Sequence, residues 1–383
     1  MTEPATKPLR ITIAAGPFFP TPPAPTGAVQ RAWYDLALRF ARRGHHVEVV
    51  AVRHEGQPAE ETVEGVHIVR RLSMKQGRNI WIDLAKDLVA CLLTVSLLPK
   101  ADVVVTNSFW MPLVARLRGR SIGKIYVSIG RFPKGQIKLY RSSHRLHAVS
   151  KAIEESILAE DPTSGPRIRI LPYPIATEVF QPPTSPRATS GERTILYTGR
   201  IHPEKGVHLL VEAFASLRAT RPWLKLRLVG PSAITEGGGG EPYLARLKGL
   251  IGDLPVEIKP PIYGRQALAA ELHAAHFYCY PSLAERGESF GVAPLEAMAT
   301  GLPVVVSNLA CFRDFVRPGE NGLVFDHRAS NPAEGLGQAL AQLIDDPALA
   351  ARMGSAGAAT ATGFGYEQVA DAYIADFRDL VGT

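Results

Sequence analysis

Short β-branched runs alternate with stretches of helical periodicity along most of the chain, the pattern of parallel strands joined by crossover helices. In the first half the strand-like runs fall at 10–15, 46–52, 102–106, 124–129 and 145–149. A helix is predicted over 29–43, where Trp33, Leu36, Ala37 and Phe40 recur at helical spacing and Gly44 supplies the stop. Residues 181–191 are rich in Pro, Ser and Thr and hold no large apolar side chain, so they read as a linker. Strand-like runs resume at 194–198, 224–229, 256–259, 277–280, 304–306 and 323–325. The pattern predicts an α/β chain of two Rossmann-like, doubly wound domains, over 1–180 and 193–365, with a linker at 181–192 and a closing helix over 366–383. Open sheets of this kind bind ligands at the carboxyl ends of their strands.

Length agrees, since 383 residues exceed what one core usually supports. The formal charge of +7 suits an anionic ligand, a nucleic acid or an anionic lipid surface. The arginines of the first half lack the aromatic interleaving of single-strand binders, which sets nucleic acid aside. Cys91, Cys279 and Cys311 are far apart in apolar surroundings and read as buried thiols of a reducing compartment. No apolar signal-peptide core precedes the first strand, so a cytoplasmic location is expected. The most apolar helical stretch, 80–98, is interrupted by Asp83, Lys86 and Asp87, leaving about 11 uncharged residues where a span needs roughly 20. It reads as a buried or surface-docked amphipathic helix, and a peripheral membrane contact stays open. The run Gly237 to Gly240 reads as a flexible surface loop, because no helix is predicted to begin directly after it.

Two segments carry candidate chemistry. Residues 199–206, Gly-Arg-Ile-His-Pro-Glu-Lys-Gly, follow a strand and precede a helix over 207–217. They place Arg200, a planar fork, and Lys205, a point charge, where a diphosphate could be held as its charge grows; a basic turn with a solvated lysine fits the spacing equally well. Residues 288–303 begin Glu288-Ser289-Phe290-Gly291-Val292-Ala293-Pro294-Leu295-Glu296. Pro294 suits a first helical turn and Gly301 marks a stop, so the helix is about two turns long, with Glu288 on the preceding loop and Glu296 in the first turn. Gly291 and Ala293 permit close backbone approach, and the amides of the helix start can receive phosphate oxygens. Taken alone, Glu296 reads rather as a carboxylate answering the helix dipole, and Glu288 as a solvated loop acid.

The order of these two segments, about 90 residues apart, resembles the retaining GT-B glycosyltransferases of family 4 (glycosyltransferase group 1), whose C-terminal domain carries a Gly-Arg…Lys-Gly loop and then a Glu-(seven residues)-Glu motif. Weaker support comes from 44–47, 148–150, 321–324 and the closing helix. The resemblance implies two domains facing across a cleft, with the last helix crossing back to the first. It implies that Arg200 and Lys205 hold the donor diphosphate, that Glu296 bonds the nucleotide ribose, that Glu288 contacts the transferred sugar, and that the backbone from Phe290 through Gly291, Val292 and Ala293 lies beside sugar and phosphate. Gly27 corresponds to the family's glycine-rich turn, here Thr26-Gly27-Ala28 without a double glycine.

One departure stands out. The histidine that the family carries after the strand at 124–129 is absent; the chain reads Val127-Ser128-Ile129-Gly130-Arg131-Phe132-Pro133-Lys134. Either Ser128 or Arg131 stands in its place, or the donor sugar lacks the group it contacts; Arg131, Lys134 and Lys138 could equally hold an anionic acceptor or phosphate or be solvated. No Asp-x-Asp element occurs, so no metal cofactor is expected. The expected activity is retaining hexosyl transfer from a UDP- or GDP-sugar to a small soluble acceptor. The rival readings are a GT-B sugar-nucleotide epimerase or hydrolase and a non-catalytic nucleotide-sugar-binding protein.

Overall fold

The computed structural model describes residues 7–382 apart from 19, 23–27, 72–73, 75–76, 78, 186 and 189. Gly27 therefore lies outside the described residues. The chain divides into two compact units, residues 1–174 with 366–383, and residues 175–365.

The first unit is built from β1 (Arg10–Ala14), α1 (Ala28–Arg42), β2 (His46–Val52), β3 (Glu60–Val63), β4 (Val66–Arg71), α2 (Ile80–Thr94), β5 (Val103–Thr106), α3 (Met111–Val114), β6 (Lys124–Ile129), β7 (Arg145–Ala148), α4 (Lys151–Glu160) and β8 (Ile168–Ile170). Among the described residues these strands form one sheet in the order β3-β4-β2-β1-β5-β6-β7-β8. All neighbours pair in parallel except β3 and β4, an antiparallel hairpin that the periodicity does not predict because β3 has no buried face. The closing helix (Tyr366–Val381) packs on α1 and belongs to this unit. Phe377 stacks edge-on against Phe40, and Arg145 and Arg169 both pair with the buried Asp376. Two arginines around one buried carboxylate tie the helix to β7 and β8, since removing either side would strand a buried charge.

The second unit carries β9 (Arg193–Thr198), α5 (Val207–Thr220), β10 (Leu224–Val229), α6 (Gly240–Ile251), β11 (Val256–Lys259), α7 (Arg265–His273), β12 (Phe277–Tyr280), α8 (Val292–Ala299), β13 (Val304–Ser307), β14 (Leu323–Phe325), α9 (Pro332–Asp345) and α10 (Pro347–Ala361). Its sheet is parallel throughout, in the order β11-β10-β9-β12-β13-β14. The strands are short, and the inner ones, β12 and β13, are buried along their whole length as a sheet covered on both faces requires, whereas β10 and the edge strand β11 alternate apolar with charged residues.

The boundary differs from the expected linker. Residues 175–192 divide with the second unit, and Arg187, inside the stretch expected to be a linker, donates to the carbonyls of Ala275, Thr300 and Gly301. Its guanidinium braces the carbonyl end of α8, an interaction that composition alone conceals.

Candidate functional site

In the second sheet the chain winds outward in both directions from β9 and β12, so the crevice between their carboxyl ends is the topological switch point where such sheets receive ligands. Both motif loops leave from there. After β9, Gly199 takes φ +151° and Gly206 takes φ +65°, bracketing a single turn from Pro203 to Lys205. A Cβ on Gly206 would meet the Pro281 carbonyl oxygen, which follows β12, at 2.0 Å. Only glycine lets the two loops lie this close.

Their contact is an ion pair. Lys205 Nζ lies 2.5 Å from Glu288 Oε2, and the lysine is only 4% exposed. The same carboxylate oxygen accepts from Tyr280 Oη at 3.2 Å and Ser282 Oγ at 3.1 Å. Burial first, then the Glu288 charge, raises the Tyr280 phenol well above its ordinary value, so it stays a donor. Three donors thus converge on Oε2, and Oε1 takes part in none of these bonds. Arg200 spans another contact: Nη2 meets Glu204 Oε1 at 2.5 Å and Nη1 donates to the Gly237 carbonyl at 2.8 Å.

The second loop ends at Gly291, whose left-handed backbone (φ +99°, ψ +60°) starts α8 with no side-chain cap. A Cβ there would meet Phe312 at 2.6 Å. Val292 and Ala293, both partly buried residues, supply the first two amides of the helix, and Pro294, third in the helix, has no N–H. This is an uncapped helix start able to receive an anion. Glu296 falls in the second turn rather than the expected first, because Gly291 opens the helix before the proline does. Its charge reaches inward: the Tyr278 phenol is raised by burial, with Glu296 contributing. Phe290 is buried against Phe315 and Phe364, fixing the loop rather than offering a face to a ligand.

The four-glycine run departs from the expectation of a flexible loop, since α6 begins within it at Gly240. Each amide is spent on a backbone carbonyl: Gly237 on Ile234, Gly238 on Ala233, Gly239 on Ile201 and Gly240 on Ser232. No amide remains for a phosphate. The run packs against Pro203 and Arg200 and holds the first motif loop in place. Tyr280, Ser282, Glu204 and the Gly237 carbonyl are site residues that motif reading missed; the position of Tyr280 and Ser282 at the carboxyl end of β12 was the available signal.

In the first unit, a cavity of about 310 Å³ lies at the matching position, lined from the ends of β1, β5 and β6 by residues including Gly16, Asn107, Ser108, Ser128 and Arg131. Ser128 is not free to replace the family's histidine. Its hydroxyl accepts from Trp33 Nε1 at 3.2 Å and lies 3.1 Å from Nδ1 of the buried His147, whose Nε2 is 2.7 Å from the Leu171 carbonyl. Burial lowers His147 to about 4, so the ring is neutral, Nε2–H donates to Leu171, and Nδ1 takes the Ser128 proton. Arg131 is exposed and lines the cavity, whereas Lys134 is exposed outside it.

The group 1 glycosyl transferase model matches residues 183–360, and the Glycosyltransferase Family 4 model matches residues 29–179. The D-inositol 3-phosphate glycosyltransferase of Kineococcus radiotolerans is 28% identical across 91% of this chain and 89% of its own length. That of Arthrobacter sp. (strain FB24) is 31% identical across 64% of this chain and 58% of its own length. Sucrose-phosphate synthase from Thermosynechococcus elongatus superposes with a TM-score of 0.79, at 22% identity, over 97% of this chain and 100% of that one. Anabaena HepE in complex with UDP-glucose gives 0.71, at 15% identity, over 97% and 100%. At such identities the likeness carries the fold, which is GT-B. With one family model over each half and two parallel-sheet units of that fold beneath them, this chain belongs to the group 1, family 4 glycosyltransferases.

Proposed function

We propose that the chain is a retaining hexosyltransferase that takes its sugar from a UDP- or GDP-sugar and passes it to a hydroxyl of a small soluble acceptor, without a metal ion. The observation that carries this reading is the Lys205–Glu288 pair, which joins two motif loops at the switch point beside the uncapped start of α8. The donor diphosphate would lie along Arg200, Lys205 and the amides of Val292 and Ala293. Glu288 Oε1 would accept from a sugar hydroxyl, and Glu296 from the ribose. The names of the relatives, D-inositol 3-phosphate glycosyltransferases, and the UDP-glucose held by the Anabaena protein support a nucleotide-sugar donor and a polyol acceptor. The cavity of the first unit is the candidate acceptor site, with Arg131 at its rim.

As the bond to the anomeric carbon breaks, negative charge collects on the diphosphate and positive charge on the sugar. Preorganised cations and amides stabilise that state more than the bound donor. Retention follows if the departing phosphate oxygen takes the acceptor proton on the face it leaves, a step needing no protein base. That accords with Ser128, whose proton is already committed to His147. Proton NMR of the product tests the reading: the anomeric configuration of the donor is expected in the product, with turnover unchanged by EDTA. An inverted linkage, or donor conversion that never involves an acceptor, would sink it.

A further inference from the structure

Helix α2 is turned inside out. Its buried residues are Asp83, Asp87, Ala90, Cys91 and Thr94, while Trp81 (76% exposed), Ile82, Val89, Leu92 and Leu93 are exposed. At 3.6 residues per turn the five apolar side chains form one stripe, and the buried polar set lies on the opposite one. The orientation is fixed by satisfied bonds rather than by chance. Asp83 Oδ1 accepts from the Gly77 amide at 2.8 Å, Asp87 Oδ2 from the Trp110 amide at 3.0 Å, and Thr94 Oγ1 donates to the Ala90 carbonyl at 2.7 Å. Rolling the helix to hide its leucines would break the two carboxylate bonds to residues outside it, at Gly77 and Trp110, whereas the Thr94 bond lies within the helix and spares its hydroxyl an unmet partner in the interior. A contiguous apolar stripe held outward in this way marks a surface meant for something other than water.

The surroundings say what that is. Arg118 donates to the carbonyls of Ser96 and Leu98 just past the end of α2, anchoring the turn around 115–122 beside the stripe. That turn presents Arg116, Leu117 (75% exposed) and Arg118 to solvent, with Lys100 close by in the chain and likewise exposed. The sole acid across residues 88–153 is Asp102, and Arg10 neutralises it at 2.7 Å. The exposed face of the helix itself carries no carboxylate. Apolar side chains including a tryptophan, flanked by cations and free of exposed acid, match a bilayer with anionic headgroups, into which such a helix lies flat.

We propose that α2 and the basic turn at 115–122 dock the protein on an anionic lipid bilayer, with Trp81, Ile82, Val89, Leu92, Leu93 and Leu117 entering the headgroup layer. No described helix is long and apolar enough to cross a membrane, so the contact is peripheral. The opposite stripe of α2 contributes Asp83 and Asp87 to the wall of the first-unit cavity, so docking would set that cavity beside the lipid surface. The docking face shares no residue with the donor site and stands or falls apart from the transfer chemistry.

The test is co-sedimentation of the full chain with phosphatidylcholine vesicles containing or lacking phosphatidylglycerol, at low and high salt. Binding is expected to the anionic vesicles alone, weakening with salt as the Debye length shrinks. A W81S/L92S/L93S variant is expected to bind about tenfold more weakly or worse, from lost apolar insertion. A K100E/R116E variant should lose the preference for phosphatidylglycerol. Both should melt like the parent in circular dichroism, since all five side chains are exposed. Failure to sediment with anionic vesicles would overturn the proposal, as would sedimentation indifferent to the triple substitution. So would a self-associated parent that the triple substitution turns monomeric, which would make the occupant a second copy of this chain.

Discussion

Lys205 and Glu288 stand 83 positions apart in the chain and 2.5 Å apart in space, and each is what makes the other tolerable in a buried place. Lys205→Ala leaves Glu288 with two neutral donors and no counter-charge, a change expected to cost about 3 kcal/mol of stability by the usual penalty for an orphaned buried charge. Urea denaturation reads it. Glu288→Gln keeps the shape and a carbonyl acceptor for Lys205, Tyr280 and Ser282 but removes the counter-charge of the buried lysine, so a stability loss comparable to that of Lys205→Ala is expected, and activity is compared at a temperature where both proteins are folded. The turnover number should there fall by about a hundredfold or more, as when one preorganised contact to a transition state is lost. Gly291→Ala asks for a left-handed alanine and a Cβ 2.6 Å from Phe312. It should weaken nucleotide binding by displacing the Val292 and Ala293 amides, measured as a lost thermal shift with UDP or GDP.

At the scale of elements, the sequence announced most strands within a residue or two, because parallel strands buried on both faces read as β-branched runs. The β3–β4 hairpin escaped because Glu60–Val63 is half solvated and short, with no apolar face to give a period. The two motif loops were legible, but not the layer beneath them. Arg187 bracing α8 and the glycine run packing under Arg200 are tertiary contacts between segments that look like linker and loop. Which face of α2 turns inward was likewise not legible: charges in an apolar helix normally mark the wet side, whereas Asp83 and Asp87 here are buried. Gly206 is the element-level hinge of the site. Gly206→Ala forces a Cβ against the Pro281 carbonyl at positive φ, and a stability loss of about 2 kcal/mol is expected from such a left-handed site. Because the strain separates the loops, nucleotide affinity should fall with it; a variant that loses stability but keeps full affinity would show that the loops do not act together.

For the molecule as a whole, each unit puts its candidate site at the same point of a parallel sheet, and each spends its buried polar groups on holding loops there. In the first unit this makes acid a specific stress. His147 sits at about 4 when folded against an ordinary 6.5, held down by burial. Below pH 6.5 the unfolded chain therefore takes up a proton that the folded chain refuses. Stability from this residue is complete above pH 6.5 and drains away as the pH falls toward 4, by up to ~3 kcal/mol. Melting temperatures across that range should drop for the parent and less for His147→Gln. The central claim concerns the other unit, and calorimetric titration with UDP and GDP, parent against Lys205→Ala, tests it most directly. The parent should bind one of the two without added metal, and the variant at least about tenfold more weakly, the loss of one charge-assisted contact to phosphate. If neither nucleotide binds the parent, or if the variant binds as the parent does, the loops joined by Lys205 and Glu288 are not the donor site.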